Sequence, residues 1–137
     1  MSARKDIRVD TGPVNSAAWA AGALGVSVAG LAAHNILEFG FGALSDFGSG
    51  TIPMFIVAAV IAAIWWLIPG ARRICSALMI AFGLLNLVGG GLLSVLPLDF
   101  LPFDPEQSLS HYASHLFYGV TQIPLIWFGI GQLLPGT

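Results

Sequence analysis

Three histidines and one glutamate stand at spacings that bring side chains together on a helix. His34 and Glu38 are four positions apart, and so are His111 and His115. Residues four apart lie on one face of an α-helix, about 6 Å from each other along its axis. Each of the two segments therefore presents a pair of side chains of the kind that bind metal ions or carry protons.

Neutral imidazole and carboxylate groups are ligands for metal ions such as zinc, copper(II), nickel and iron(II). We therefore predict a transition-metal site, for copper or zinc, at His34, Glu38, His111 and His115. The same groups also suit a proton relay or a hydrogen-bonded structural cluster near the lipid headgroups. A haem held by His34 and His115 is a minor alternative. The spacing lacks the adjacent glutamate of the zinc-protease pattern, so hydrolysis is not suggested. The chain also lacks a complete catalytic set, so it is not expected to be catalytic on its own.

The composition of the chain indicates which solvent surrounds these side chains. Of its 137 residues, 56% are hydrophobic and 9% are charged, and the mean hydropathy is +0.85. A soluble domain carries charge on about a quarter of its residues, because its surface must be hydrated. The sequence therefore predicts an integral membrane protein that has the lipid bilayer as a partner.

Four apolar stretches are each long enough to cross a bilayer as a helix. Proline or glycine stands near their ends, as is usual for helices. Thr51 is a candidate N-cap for the second span, and Asp104 or Ser108 for the fourth. We predict an all-α four-transmembrane-helix bundle that forms a single membrane domain over residues 1–137, with residues 1–12 as a short cytoplasmic tail. The predicted spans are residues 13–41, 52–68, 74–96 and 108–134.

The positive charges give these spans a direction. Three of the five cations precede the first span and two lie between the second and third, so that all five fall on one side of the membrane. The positive-inside rule assigns that side to the cytoplasm. We expect both termini to be cytoplasmic in a multi-pass protein of the plasma (inner) membrane. The cations are Arg4, Lys5, Arg8, Arg72 and Arg73, and the acidic residues of the outer side include Asp99, Asp104 and Glu106.

Spans one and four cross the membrane in opposite directions, so the His34/Glu38 pair and the His111/His115 pair fall at the same depth in the bilayer. If these spans are neighbours, His34 lies level with His115 and Glu38 lies level with His111. The face of span one below His34 carries small residues, which indicate close contact with another helix. These small residues are Ala23, Ser27 and Gly30.

Two further polar residues, Asn86 and Gln122, fall near the middle of their spans. Hydrogen bonds between membrane helices stabilise association by about 0.6–2 kcal/mol, so we predict a structural role for both. Tyr112 and Tyr118 fall near the outer boundary, where anchoring at the membrane interface accounts for them.

Two classes of function follow from these features. The small size and the glycine-rich helix faces favour an accessory subunit that packs against other membrane subunits of a respiratory or metal-dependent oxidase or oxygenase complex. The alternative is a stand-alone protein that handles metal ions or protons, for transport or sensing, through the same cluster. Transport would require a homo-oligomer, because four helices are few for a transporter. No nucleic-acid partner is predicted, since the chain lacks a basic patch for one.

Overall fold

A computed structural model of the chain describes residues 13–99 and 104–134. Within these ranges every regular element is a helix and no strand occurs, which confirms the prediction of an all-α protein. The predicted tail at residues 1–12 lies outside the described residues. The main helices are α1 (Pro13–Phe39), α2 (Thr51–Leu67), α3 (Arg72–Leu84) and α4 (Leu109–Leu133).

The chain changes helix type after α3. It continues into a π-helix, Leu85–Leu92, here called the π segment, and then into a short 3-10 turn, Leu93–Val95. A π-helix is rare and is frequently found at functional sites. Its glycines let α4 approach closely, since a Cβ added to Gly91 would lie only 3.2 Å from the Cα of Gly119.

The starts of α2 and α4 show how each helix is capped. Gly50, and not the predicted Thr51, precedes α2 in a left-handed conformation with φ of 77°. Glycine takes this position because a Cβ would make that conformation unfavourable. Thr51 instead begins the helix, fully buried, and its hydroxyl accepts a hydrogen bond of 2.5 Å from Asn35 Nδ2. The hydroxyl of Ser108 caps α4 by accepting from the backbone N–H of His111 at 3.2 Å.

The packing order makes α1 and α4 neighbours. α4 contacts α1, α3 and the π segment, and α2 contacts α1 and α3. At the crossing of α1 and α4, a Cβ on Gly30 would lie 2.5 Å from the Cβ of Thr121, so only glycine fits. We call the end where α1 stops and α4 starts the histidine end. The opposite end, where Arg72 and Arg73 begin α3, is the arginine end.

Buried side chains are sorted by polarity along the bundle. An apolar core fills the half toward the arginine end, and Trp65, Met79 and Leu125 are its largest fully buried members. Gln122 lies at the boundary between the apolar core and the polar half of the bundle. It is 0% exposed and accepts a hydrogen bond of 2.5 Å from the Ser27 hydroxyl. Most of the other buried polar side chains lie in the half toward the histidine end. They are His34, Asn35, Thr51, Asn86, Ser114, His115 and Thr121.

Three helical stretches are long and apolar enough to cross a membrane: Ala17–Phe39, Pro69–Val95 and Leu109–Leu133. α2 is also apolar but is shorter, with 17 residues. Large apolar side chains on the outside of the bundle, such as Leu85, are exposed. The three long helices indicate that the protein associates with a lipid bilayer.

Candidate metal site in the helix bundle

The four residues selected by their spacing lie together at the histidine end. The rings of His34 and His115 are in edge contact, with centroids 4.3 Å apart, and the rings of His111 and His115 are also 4.3 Å apart. His111 Nδ1 lies 2.9 Å from Glu38 Oε2. The antiparallel neighbours α1 and α4 thus set His34 level with His115, and Glu38 level with His111.

Three of the four side chains bring their ligand atoms close to one another. One ligand atom from each of His34, Glu38 and His115 lies within 4.8 Å of the others. Tetrahedral zinc, with bonds of about 2.0–2.2 Å, places its ligand atoms about 3.4 Å apart. Contraction by about 1.4 Å at most brings these atoms to that spacing, a change within reach of side-chain rotation. His111 falls outside the set of three and contacts Glu38 instead.

The ring of His115 is held by the π segment and by the 3-10 turn that follows it. Its Nδ1 lies 2.5 Å from the carbonyl oxygen of Gly90 and 3.1 Å from the hydroxyl of Ser94. Because a carbonyl oxygen only accepts hydrogen bonds, this contact assigns the ring proton to Nδ1 and leaves a lone pair on Nε2. Metal-binding histidines commonly donate their second N–H to a carbonyl in this way, which orients the ring.

The carboxylate of Glu38 is oriented by two donors on α4. His111 Nδ1 donates to Oε2, and the hydroxyl of Ser114 donates to Oε1. Each carboxylate oxygen keeps a further lone pair after these contacts. Such hydrogen bonds to a carboxylate ligand are the usual outer support of a metal site.

Two imidazole nitrogens in the cluster are buried without a hydrogen-bond partner in the protein. They are Nδ1 of His34 and Nε2 of His111. His34 is only 7% exposed, and its ring stacks on Tyr118 with centroids 5.0 Å apart and planes 8° from parallel. An unpaired buried polar atom destabilises a fold by about 1–3 kcal/mol, so a hydrogen-bond donor or a cation beside either nitrogen would be stabilising.

A cavity of about 590 Å³ adjoins the cluster. The lining includes all four residues of the cluster, His34, Glu38, His111 and His115. It also includes one methionine, Met54. We call this cavity the chamber. The elements around it are α1, the start of α2, the π segment, α4 and the segment that precedes α4.

The predicted acidic residues lie at different places relative to the chamber. Asp104 and Glu106 line it on the segment before α4, and both are exposed. Asp99 is exposed as well but is not among the lining residues. Two of the three acids are thus placed to attract cations toward the histidine cluster.

The deeper polar residues bridge helices below the cluster. Gln122 on α4 accepts from Ser27 on α1 at 2.5 Å. Asn86 of the π segment accepts from the hydroxyl of Tyr118 on α4, and its own amide donates to the Phe82 carbonyl at 2.7 Å. Both residues lie at helix contacts, where their hydrogen bonds hold the walls of the chamber in position.

Several residues of the site were not identified from the sequence. Ser114 stands three positions after His111, on the same helix face, and this spacing is a signal that would have found it. The sequence predicts an interfacial anchor at Tyr118, but this residue is buried against His34, whereas Tyr112 is exposed. Gly90 contributes a backbone carbonyl, for which no sequence signal exists.

The rings of His34 and His115 leave no room for a porphyrin between them, because they are in direct edge contact. No family model matches the chain, and no curated protein or solved structure matches it. The function is therefore argued from the geometry of the site.

Proposed function

We propose that the chain is a membrane protein that binds a divalent transition-metal ion of the zinc or copper(II) class. The ligands are His34, Glu38 and His115, with the fourth position open to the chamber. The observation that carries the proposal is the approach of these three ligand atoms to within 4.8 Å of one another. Two nitrogens and one oxygen form a ligand set that suits zinc, and an open fourth position is common at sites that exchange ligands.

The outer support of the cluster strengthens this proposal. His115 donates to the Gly90 carbonyl, and Glu38 accepts from His111 and Ser114. The cluster is not fully hydrogen-bonded within the protein, since Nδ1 of His34 and Nε2 of His111 have no partner among the described residues. In this proposal the unpaired nitrogen of His34 supplies the free lone pair that a metal ligand needs.

Zinc titration of the purified full chain tests the proposal. We expect His34→Ala, His115→Ala and Glu38→Gln each to lower the zinc affinity by at least about 100-fold, more than the loss of an outer hydrogen bond would. Asp46→Asn is the matched control. Asp46 is an exposed carboxylate at the same end, and among the described residues its hydrogen-bond donor is the backbone N–H of Gly48.

Thermal unfolding followed by circular dichroism establishes that each variant is folded before its affinity is compared. Elemental analysis of the wild-type chain and of the His34→Ala/His115→Ala double variant gives the decisive comparison. Equal zinc content in the two proteins would refute the metal site. The cluster would then be assigned to proton handling or to a structural role.

The proposal includes four crossings with both termini in the cytoplasm. α2 has 17 residues, so it is about 25 Å long, close to the hydrocarbon thickness of a bilayer. Arg72 and Arg73 follow the C-terminal end of α2. The positive-inside rule places that end on the cytoplasmic side of the plasma (inner) membrane. Three exposed tryptophans suit the headgroup boundary at the arginine end: Trp19, Trp66 and Trp127.

Labelling with a membrane-impermeant maleimide tests the crossings and their direction. Two exposed positions at opposite ends of α2 are used, Ser45→Cys and Gly70→Cys, each in a Cys75→Ser background. We expect intact cells to label the Ser45→Cys protein and to label the Gly70→Cys protein only after permeabilisation. Labelling of both proteins from the same side would show that α2 does not cross the membrane.

The predicted accessory role is the proposal that the chain acts as a subunit of a larger membrane complex. Metal binding by this bundle suits a subunit of a respiratory or metal-dependent oxidase or oxygenase complex, and it also suits a protein that acts alone. Purification in mild detergent distinguishes the two settings. Stable co-migration with larger membrane subunits supports the accessory role, whereas a discrete homo-oligomer contradicts it.

A further inference from the structure

The chamber is bounded toward the arginine end by two layers. The first is the hydrogen-bonded pair of Ser27 and Gln122, which are 1% and 0% exposed. The second is the apolar core, whose fully buried members include Trp65, Met79 and Leu125. A cation that leaves water for dry apolar packing faces a cost on the order of tens of kcal/mol by Born solvation. These layers therefore oppose passage of an ion along the bundle.

The apolar layer contains few polar groups that an ion could use as stepping points. Among the described residues, Ser76 is the buried polar residue in that half, and its hydroxyl donates to the carbonyl of Arg72 at 2.8 Å. The guanidinium of Arg72 lies over the Trp65 ring, 4.9 Å from its centroid. A positive charge at this end repels cations, so both packing and charge oppose access from here.

The histidine end has the opposite character. Asp104 and Glu106 are exposed and line the chamber at the segment before α4, so they form an acidic mouth. Behind this mouth, the chamber is lined by His34, whose Nδ1 is buried and has no partner. An exposed acidic rim over a buried free nitrogen is an arrangement that collects cations from water and passes them to a ligand.

We infer that the metal site exchanges its ion with the aqueous phase at the histidine end alone, through the mouth formed by Asp104 and Glu106. The chain then acts as a one-sided cation receptor, of the kind needed for sensing or storage, and not as a conduit across the membrane. This inference rests on the proposed metal binding, and it adds the direction of access and the class of action.

Sidedness of zinc release tests the inference. The full chain is loaded with zinc, reconstituted in sealed liposomes, and the two orientations are separated by capture of a tag placed after α4, at the arginine end. An impermeant chelator is then added outside. We expect zinc to leave the liposomes whose histidine end faces outward and to stay in the others until a zinc ionophore is added.

The outcomes separate the two proposals. Release from the liposomes whose arginine end faces outward, at the rate seen for the other orientation, would overturn one-sided access while leaving metal binding intact. A protein that holds no zinc before the chelator is added would overturn the metal site and the inference with it.

The acidic mouth has its own test in the rate of zinc uptake. We expect the double variant Asp104→Asn/Glu106→Gln to take up zinc about 10-fold more slowly at low ionic strength, with the difference removed by high salt, because steering by surface charge is screened. The control Asp99→Asn removes an exposed charge at the same end that does not line the chamber. Equal slowing by the control would show that this mouth is not the route.

Discussion

The contact between Gly30 and Thr121 determines whether α1 and α4 can bring their histidines together. A Cβ on Gly30 would lie 2.5 Å from the Thr121 Cβ, where ordinary contacts are 3.4–4 Å. Replacing Gly30 by alanine must therefore move the two helices apart by about 1 Å at this crossing. His34 lies one turn farther along the same face of α1, so its ring must move with the helix.

The size of the effect follows from packing energetics. Overpacking by one methyl group typically costs about 1–3 kcal/mol, and the higher helix propensity of alanine returns at most about 1 kcal/mol. We expect Gly30→Ala to lower the free energy of unfolding by about 1–2 kcal/mol. We also expect it to weaken zinc binding by about 10–100-fold, the range found when the support of a metal ligand is disturbed.

Gly25→Ala is the matched control in the same helix. A Cβ on Gly25 would meet nothing within 4 Å, so only the helix propensity changes. Unfolding in detergent, followed by circular dichroism, gives the stability of both variants, and titration gives their zinc affinity. Identical behaviour of Gly30→Ala and Gly25→Ala in both measurements would refute the packing argument.

A second variant shows whether the steric contact is the cause. In Gly30→Ala/Thr121→Gly the small residue is transferred from α1 to α4, and the side-chain atoms that obstruct the new Cβ are removed. We expect zinc affinity to return most of the way to that of the wild-type chain. Stability is expected to recover less, because glycine lowers the helix propensity of α4.

Other hydrogen bonds of the bundle lead to three further predictions. A double-mutant cycle of Ser27→Ala and Gln122→Leu is expected to give a coupling energy of about 0.6–1.7 kcal/mol, and a value near zero would show that this buried contact is not formed. Ser114→Ala removes a hydrogen bond to the carboxylate ligand, and we expect a loss of zinc affinity of about 10-fold with unchanged stoichiometry. Thr51→Val removes the acceptor for Asn35, so a loss of about 1 kcal/mol in unfolding free energy is expected in detergent, and an unchanged value would contradict the assignment.

The all-helical character of the described residues could be predicted from the sequence because it depends on local properties. A long apolar stretch must satisfy its backbone hydrogen bonds internally, and a helix is the way for a single segment to do so. Capping was predicted less well. Ser108 caps α4, but Gly50 takes the place expected for Thr51, because Thr51 is drawn into a contact with Asn35 on another helix.

The candidate site was only partly predictable, because part of it depends on contacts between helices. The spacing of His34 and Glu38, and of His111 and His115, follows from helix geometry alone. The hydrogen-bond and ring-contact partners of these side chains do not follow from helix geometry. Gly90 contributes a carbonyl that has no residue signature, and Tyr118 is buried by the packing of α4.

The sequence by itself determined that four ionisable side chains form two pairs, each on one helix face, in a chain whose natural solvent is lipid. Helix periodicity and hydropathy are local properties, so one sequence suffices for both conclusions. Only the tertiary structure decided that α1 and α4 are neighbours, which ring nitrogens are free, and that most buried polar side chains lie at the histidine end. These features depend on contacts between residues distant in the chain, such as Gly30 with Thr121 and His115 with the Gly90 carbonyl.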